Sequence, residues 1–153
     1  MTMLLIQASI TAYQGPSANL LGAYDSDTGL LIVERELARD ERIDDAVFVT
    51  DDPRAEDRDR LFNEDNLQAA IRSFFRAKHS GLVELEKSVK RHDPEHKIEA
   101  EGVTEQGSKY RVNPEATNGQ IAVLAMMDAV AVAGHAEAAS DFADDLIDMF
   151  LTI

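Results

Sequence analysis

His92 and His96 stand four residues apart, with Asp93-Pro94-Glu95 between them. On a continuous helix that spacing brings two imidazoles to one side, where they can share a metal ion. Pro94 opposes that continuity, because proline lacks the amide hydrogen and crowds the preceding turn. The segment reads instead as an exposed turn, and His92 and His96 remain weak metal candidates. His79 would join them only if the fold brought it close. His135 follows Gly134 between two apolar segments, where helix-end chemistry accounts for it.

Other short patterns with chemical meaning fall to the same scrutiny. Asp27-Thr28-Gly29 has the residue order of the aspartic-protease triplet. That chemistry needs two carboxylates sharing a proton and apolar residues before the aspartate, whereas Asp25-Ser26 stand there. A hairpin turn is the simpler reading. A calcium loop counted from Asp25 requires glycine at position 6 and places it at position 5, although Glu36 falls at position 12. No Gly-x-Ser-x-Gly elbow, phosphate-binding loop or dinucleotide fingerprint occurs. The chain has no cysteine, which excludes disulfides, thiolate catalysis and cysteine-held zinc or iron–sulfur centres. No cofactor is expected.

Charge says more than motifs do. Twenty-nine acidic and 15 basic groups give a net charge of −14. A surface this negative repels nucleic acid as a whole and favours solubility. Ten Arg against five Lys, with 21 Ala, associate the composition with a high-salt or GC-rich host, where salt would screen the self-repulsion. Against this background, residues 72–97 hold seven Lys and Arg and four acids, a local +3 in a chain otherwise at −17. Arg72, Arg76, Lys78, Lys87, Lys90 and Arg91 are the candidate binding residues of this basic segment, for phosphate, nucleic acid or an acidic partner. Helix C-termini also gather basic residues for dipole reasons, and the protein's own acids can match them. The acidic stretch Glu34–Asp65 reads as a solvated face, or more sharply as a surface mimicking a nucleic-acid duplex.

The elements that must position these groups follow from periodicity. Residues 3–13 alternate, with Leu4, Ile6, Ala8, Ile10 and Ala12 on one side and Gln7, Ser9 and Thr11 on the other, as in a strand. Residues 20–37 form a hairpin about Asp25–Gly29, and Ile43–Thr50 adds a short strand. The clearest helix covers 64–79, capped by Asn63 and followed by Gly81, with Leu67, Ala70, Ile71, Phe74 and Phe75 on one face. A second helix is expected over 82–91, with a strand through Val83–Leu85 as the alternative. A second hairpin spans 97–112. Thr117-Asn118-Gly119-Gln120 fits a capping box opening a buried helix over 119–133, and a last amphipathic helix covers 136–151.

This order predicts a single α+β domain, 1–153, with a small antiparallel sheet packed with about four helices. The apolar run Ile121–Met127 falls short of the roughly 20 residues of a membrane span, so it reads as core, and no membrane association is expected. The expected location is the cytoplasm, or a virion for a viral protein. The functional expectation is a non-enzymatic structural, assembly or protein-interaction module of a viral or accessory kind. Its partner would be a protein or a second copy, engaged through 121–151. A nucleic-acid-linked protein, binding through 72–97 or mimicking DNA, is the alternative, and a small hydrolase using carboxylates or histidines the second.

Overall fold

The computed structural model describes residues 3–105 and 107–132. Eight strands organise them: β1 (Met3–Ile10), β2 (Ala18–Asp25), β3 (Leu30–Glu36), β4 (Ala46–Thr50), β5 (Arg60–Leu61), β6 (Val83–Leu85), β7 (Ile98–Thr104) and β8 (Gly107–Val112). The first six form one sheet in the order β5-β4-β1-β2-β3-β6, and β7 pairs with β8 alone. Helix α1 (Glu64–His79) and the helix over 118–132, here α2, lie on one face of the large sheet.

The α+β class holds, but the large sheet is mixed rather than antiparallel. β1–β2 and β2–β3 are antiparallel, whereas β1–β4, β4–β5 and β3–β6 are parallel. The expected helix over 82–91 is also corrected. Gly81, at φ 70°, turns the chain out of α1, and Val83 and Leu85 pair with Leu31 and Val33. The open edge of β3 offers a ladder that a stripe of three apolar residues cannot outweigh. A short 3-10 helix, Lys87–His92, follows. The expected helix over 136–151 lies outside the described residues.

Local signals elsewhere operate as read. The Asn63 side chain accepts from the Asp65 amide at the start of α1. At the start of α2 the Thr117 hydroxyl accepts from Gln120 N (3.3 Å), while the Gln120 side chain accepts from Thr117 N (3.0 Å). This reciprocal pair is a capping box. Asn118, fully buried, ties the chain after β1 to this helix start: its Oδ1 accepts from Tyr13 N, and its Nδ2 donates to the carbonyls of Gly15 and Pro16.

The main core lies between sheet and helices. Ile6, Ala8, Ile10, Leu20, Leu31, Val33 and Val49 meet Ile71 and Phe74 of α1 and Ile121, Leu124 and Met126 of α2. α2 is buried on nearly all sides from Ile121 to Val130. It crosses β2 at Gly22, where an added Cβ would stand 3.2 Å from both Met126 Sδ and the Ile32 carbonyl. Residues 121–130 are therefore interior, and the part of the expected 121–151 interface beyond residue 132 lies outside the described residues.

The opposite face is covered by a strap, residues 37–45, joining β3 to the parallel β4 across β2 and β1. It must travel three strand spacings sideways, about 14 Å, and return roughly a strand length, about 15 Å. Nine helical residues would span only about 14 Å, so the strap is extended. Beneath it Leu21, Leu37 and Ala46 form a small second core. Gln7, which alternation places on a polar side, is wholly buried there. Its Nε2 donates to Asn19 Oδ1 (2.8 Å) and the Glu41 carbonyl (2.7 Å), and its Oε1 accepts from Arg42 Nη1 (3.1 Å) and Ile43 N (3.0 Å). Asn19 Nδ2 adds bonds to the carbonyls of Ala38 and Glu41.

Replacing Gln7 by leucine removes these bonds but leaves their partners under the strap. The expected cost is about 3 kcal/mol, from stranding buried polar groups. Urea unfolding measures it against Ser9→Ala on the same strand face, and equal stability of the two variants would show that the strap needs no such anchor.

Candidate functional site

The carboxyl ends of the parallel strands β1 and β4 open beside the start of α1 and the β7–β8 hairpin. Open sheets characteristically present ligand sites at such ends. A cleft of about 460 Å³ lies there, within the range of ordinary binding sites. Tyr13 and Gln14 come from the segment after β1, Glu64, Leu67 and Gln68 from α1, Glu101 from β7, and Tyr110, Arg111 and Val112 from β8.

The hairpin is held against α1 by backbone recognition. Gln68 uses both ends of its amide on Tyr110, accepting from its N–H (2.9 Å) and donating to its carbonyl (2.5 Å). Arg72 Nε donates to the Ser108 carbonyl (3.2 Å). Two side chains of α1 thus take the place of a strand along the outer edge of β8. The Tyr110 ring packs on Phe75, with centroids 5.4 Å apart.

Tyr13 is half-buried, and burial, with Asp51 and Glu64 nearby, holds its phenol pKa above the usual value. It is therefore a neutral hydroxyl at physiological pH. Arg111 is directed to Glu99 and lies 3.9 Å from Glu101; its bond to Glu99 raises its pKa further. The cleft is thus lined by two tyrosines, the apolar Leu67 and Val112, and the carboxylates Glu64 and Glu101.

The candidates of the basic segment are spread over different surroundings. Arg72 is occupied by the hairpin. Arg76 is exposed and borders a shallow apolar hollow with Leu82 and Met127. Lys78 pairs with Asp93 and, at 3.2 Å, with Glu95. These two acids raise its pKa against the opposing effect of burial, which is the largest single influence. Lys87 and Lys90 are exposed on the 3-10 helix, and Arg91 pairs with Glu36. Lys97 lies 3.6 Å from Glu115.

His92 also meets Glu36, whose pKa this bond lowers most, with Arg91 assisting. His96 is exposed on the next short turn, Glu95–Lys97, beyond the buried Pro94. Among the described residues no group of three or more His, Cys, Asp and Glu is placed to hold a metal ion. His92, Glu36 and Ser17 do line one cavity, of about 510 Å³, at the start of α2. His92 Nε2 meets Glu36 there, and Nδ1 lies against Gly119. That nitrogen is covered by the start of α2.

The residues lining the first cleft had no signal in common. Tyr13 stands where strand alternation breaks before Gly15-Pro16, Glu64 reads as a helix-start acid, and Tyr110 as a hairpin residue. Only the closing of the hairpin onto α1 brings positions 13, 64 and 110 together.

Among the described residues no helix is long and apolar enough to cross a membrane. No protein-family model matches the chain, and neither does any curated protein or solved structure.

Proposed function

We propose that this chain is a protein-interaction module that works by strand addition at the outer edge of β7. The observation that carries the reading is the asymmetry of the hairpin. Tyr110 and Ser108 of β8 turn backbone groups to α1, so their cross-strand partners, Ala100 and Val103 of β7, turn theirs away from β8. Among the described residues no strand lies on that side. Val103 is 85% exposed, the most solvent-accessible large apolar side chain of the described residues. A strand edge with outward amides and an apolar side chain is a template for an added strand.

Glu99, Glu101 and the irregularity between Ala100 and Gly102 limit indiscriminate pairing, so the edge selects its partner. The nucleic-acid reading draws less support, since Lys78, Arg91 and Lys97 meet carboxylates of their own chain.

Amide hydrogen exchange tests the proposal on the full chain in molar KCl, with short β-forming peptides of basic, acidic and neutral composition. Bound peptide is expected to slow exchange at Ala100 and Val103 at least about tenfold, and Val103→Pro to abolish this while leaving the α2 amides unchanged. A discrete self-assembly, seen by light scattering and protecting the same two amides, would also support it. A monomer whose β7 amides exchange equally fast with every peptide would overturn it.

A further inference from the structure

The cleft beside β7 has a composition suited to one kind of side chain. Tyr13 and Tyr110, the apolar Leu67 and Val112, and the carboxylates Glu64 of α1 and Glu101 of β7 all line it. A long aliphatic stem ending in a cation matches that set of residues: the stem covers the apolar side chains, and the cation meets ring faces and carboxylates. Arg111 lines the same cleft but its guanidinium is engaged by Glu99. Asp51, close enough to act on Tyr13, adds further negative charge. An anionic occupant would be repelled by Glu64, exposed at the start of α1, while Glu101 is shared with Arg111 (3.9 Å) and Lys109 (4.0 Å).

Position reinforces composition. Glu101 belongs both to the cleft and to β7, so a strand laid on the open edge passes beside one of the residues that line the cleft. We propose that the cleft receives a lysine or arginine side chain from a basic peptide partner docked along β7. The inference rests on the strand-addition reading and names the partner's chemistry. In a high-salt medium the screening length falls to about 3 Å, so the net charge of −14 no longer steers partners from a distance. Only direct contact pairs act within that length, so selection by charge there falls to contacts such as those with Glu64 and Glu101.

The chain contains three tyrosines and no tryptophan, so two of the three intrinsic fluorophores lie in the cleft. The probes are a short synthetic β-forming peptide with one central lysine and its analogue with norleucine there, titrated into the full chain in molar KCl. The lysine peptide is expected to change tyrosine emission and to bind about tenfold more tightly than the norleucine analogue, the range of a partly desolvated cation–ring contact. Glu64→Gln and Glu101→Gln should each narrow that ratio, Tyr13→Phe should keep it and Tyr13→Leu reduce it, and circular dichroism checks that each variant is folded. If both peptides slow exchange at Ala100 and Val103 with equal affinity, the cleft assignment fails and strand addition stands. If neither peptide slows it, strand addition itself fails. Tighter binding of a glutamate-centred peptide would overturn the cationic assignment outright.

Discussion

Gly119→Ala is expected to destabilise the protein by about 3 kcal/mol, although alanine is the better helix former. Gly119 lies in the first turn of α2 without a positive φ, so the backbone accepts alanine, and propensity alone predicts a gain of up to about 1 kcal/mol. Packing reverses the sign. A Cβ at Gly119 would collide with the His92 ring, 2.8 Å from Cγ and closer still to Nδ1 and Cε1. The ring is mostly covered, with 12% of its side-chain surface exposed, and it is tethered to Glu36. It can yield only by giving up that bond or by pushing the start of α2 off the sheet. At the usual 2–4 °C per kcal/mol for a chain of this size, the melting temperature should fall by roughly 6–12 °C. The second substitution His92→Ala should recover most of the loss, because it removes the obstacle. A Gly119→Ala variant as stable as the parent would show that the ring has room to move.

Arg60→Leu should cost about 3 kcal/mol, and more than Asp128→Asn. Asp128 is 4% exposed and sits on α2 among apolar neighbours. Arg60 of β5 holds it from two nitrogens, the second at 3.2 Å, and Asn66 Nδ2 contributes a longer contact at 3.4 Å. The asymmetry lies in access to water. A third of the Arg60 side chain is exposed, so it can turn to solvent when its partner is neutralised, whereas a carboxylate left alone on α2 has no such route. Replacing both residues by leucine should restore most of the stability. Urea unfolding of the three variants decides the matter, and equal costs for the two single changes would mean that Asp128 reaches water too.

Much of this architecture is legible in the chain, and what escapes has a common cause. α1 and its Asn63 cap, the capping box at Thr117 and Gln120, the hairpin about Asp25–Gly29 and the buried character of α2 all follow from signals within a few residues. The parallel pairing of β4 with β1 does not, because it depends on a strap passing over strands already placed. Gln7 reads as solvent-facing for the same reason: nothing near position 7 announces that Glu41 and Arg42 will close over it. β6 depends on an open edge more than fifty residues away in β3. The cleft is the extreme case, since no segment contains more than a fragment of it. Its tyrosines and carboxylates acquire a shared meaning only when Gln68 reads the Tyr110 backbone.

The strap has a kinetic consequence. β1 meets β2 across a short loop but meets β4 only after the intervening hairpin and strap, so loop closure favours pairing β1 with β2 first. The meander of β1, β2 and β3 closes over short loops and is entropically cheap, while β4 and then α2, some hundred residues from β1, are later arrivals. An unfinished chain would therefore expose one raw flank of β1 and the apolar face that α2 covers, so a nascent copy is most prone to aggregate before residues 118–132 have left the ribosome.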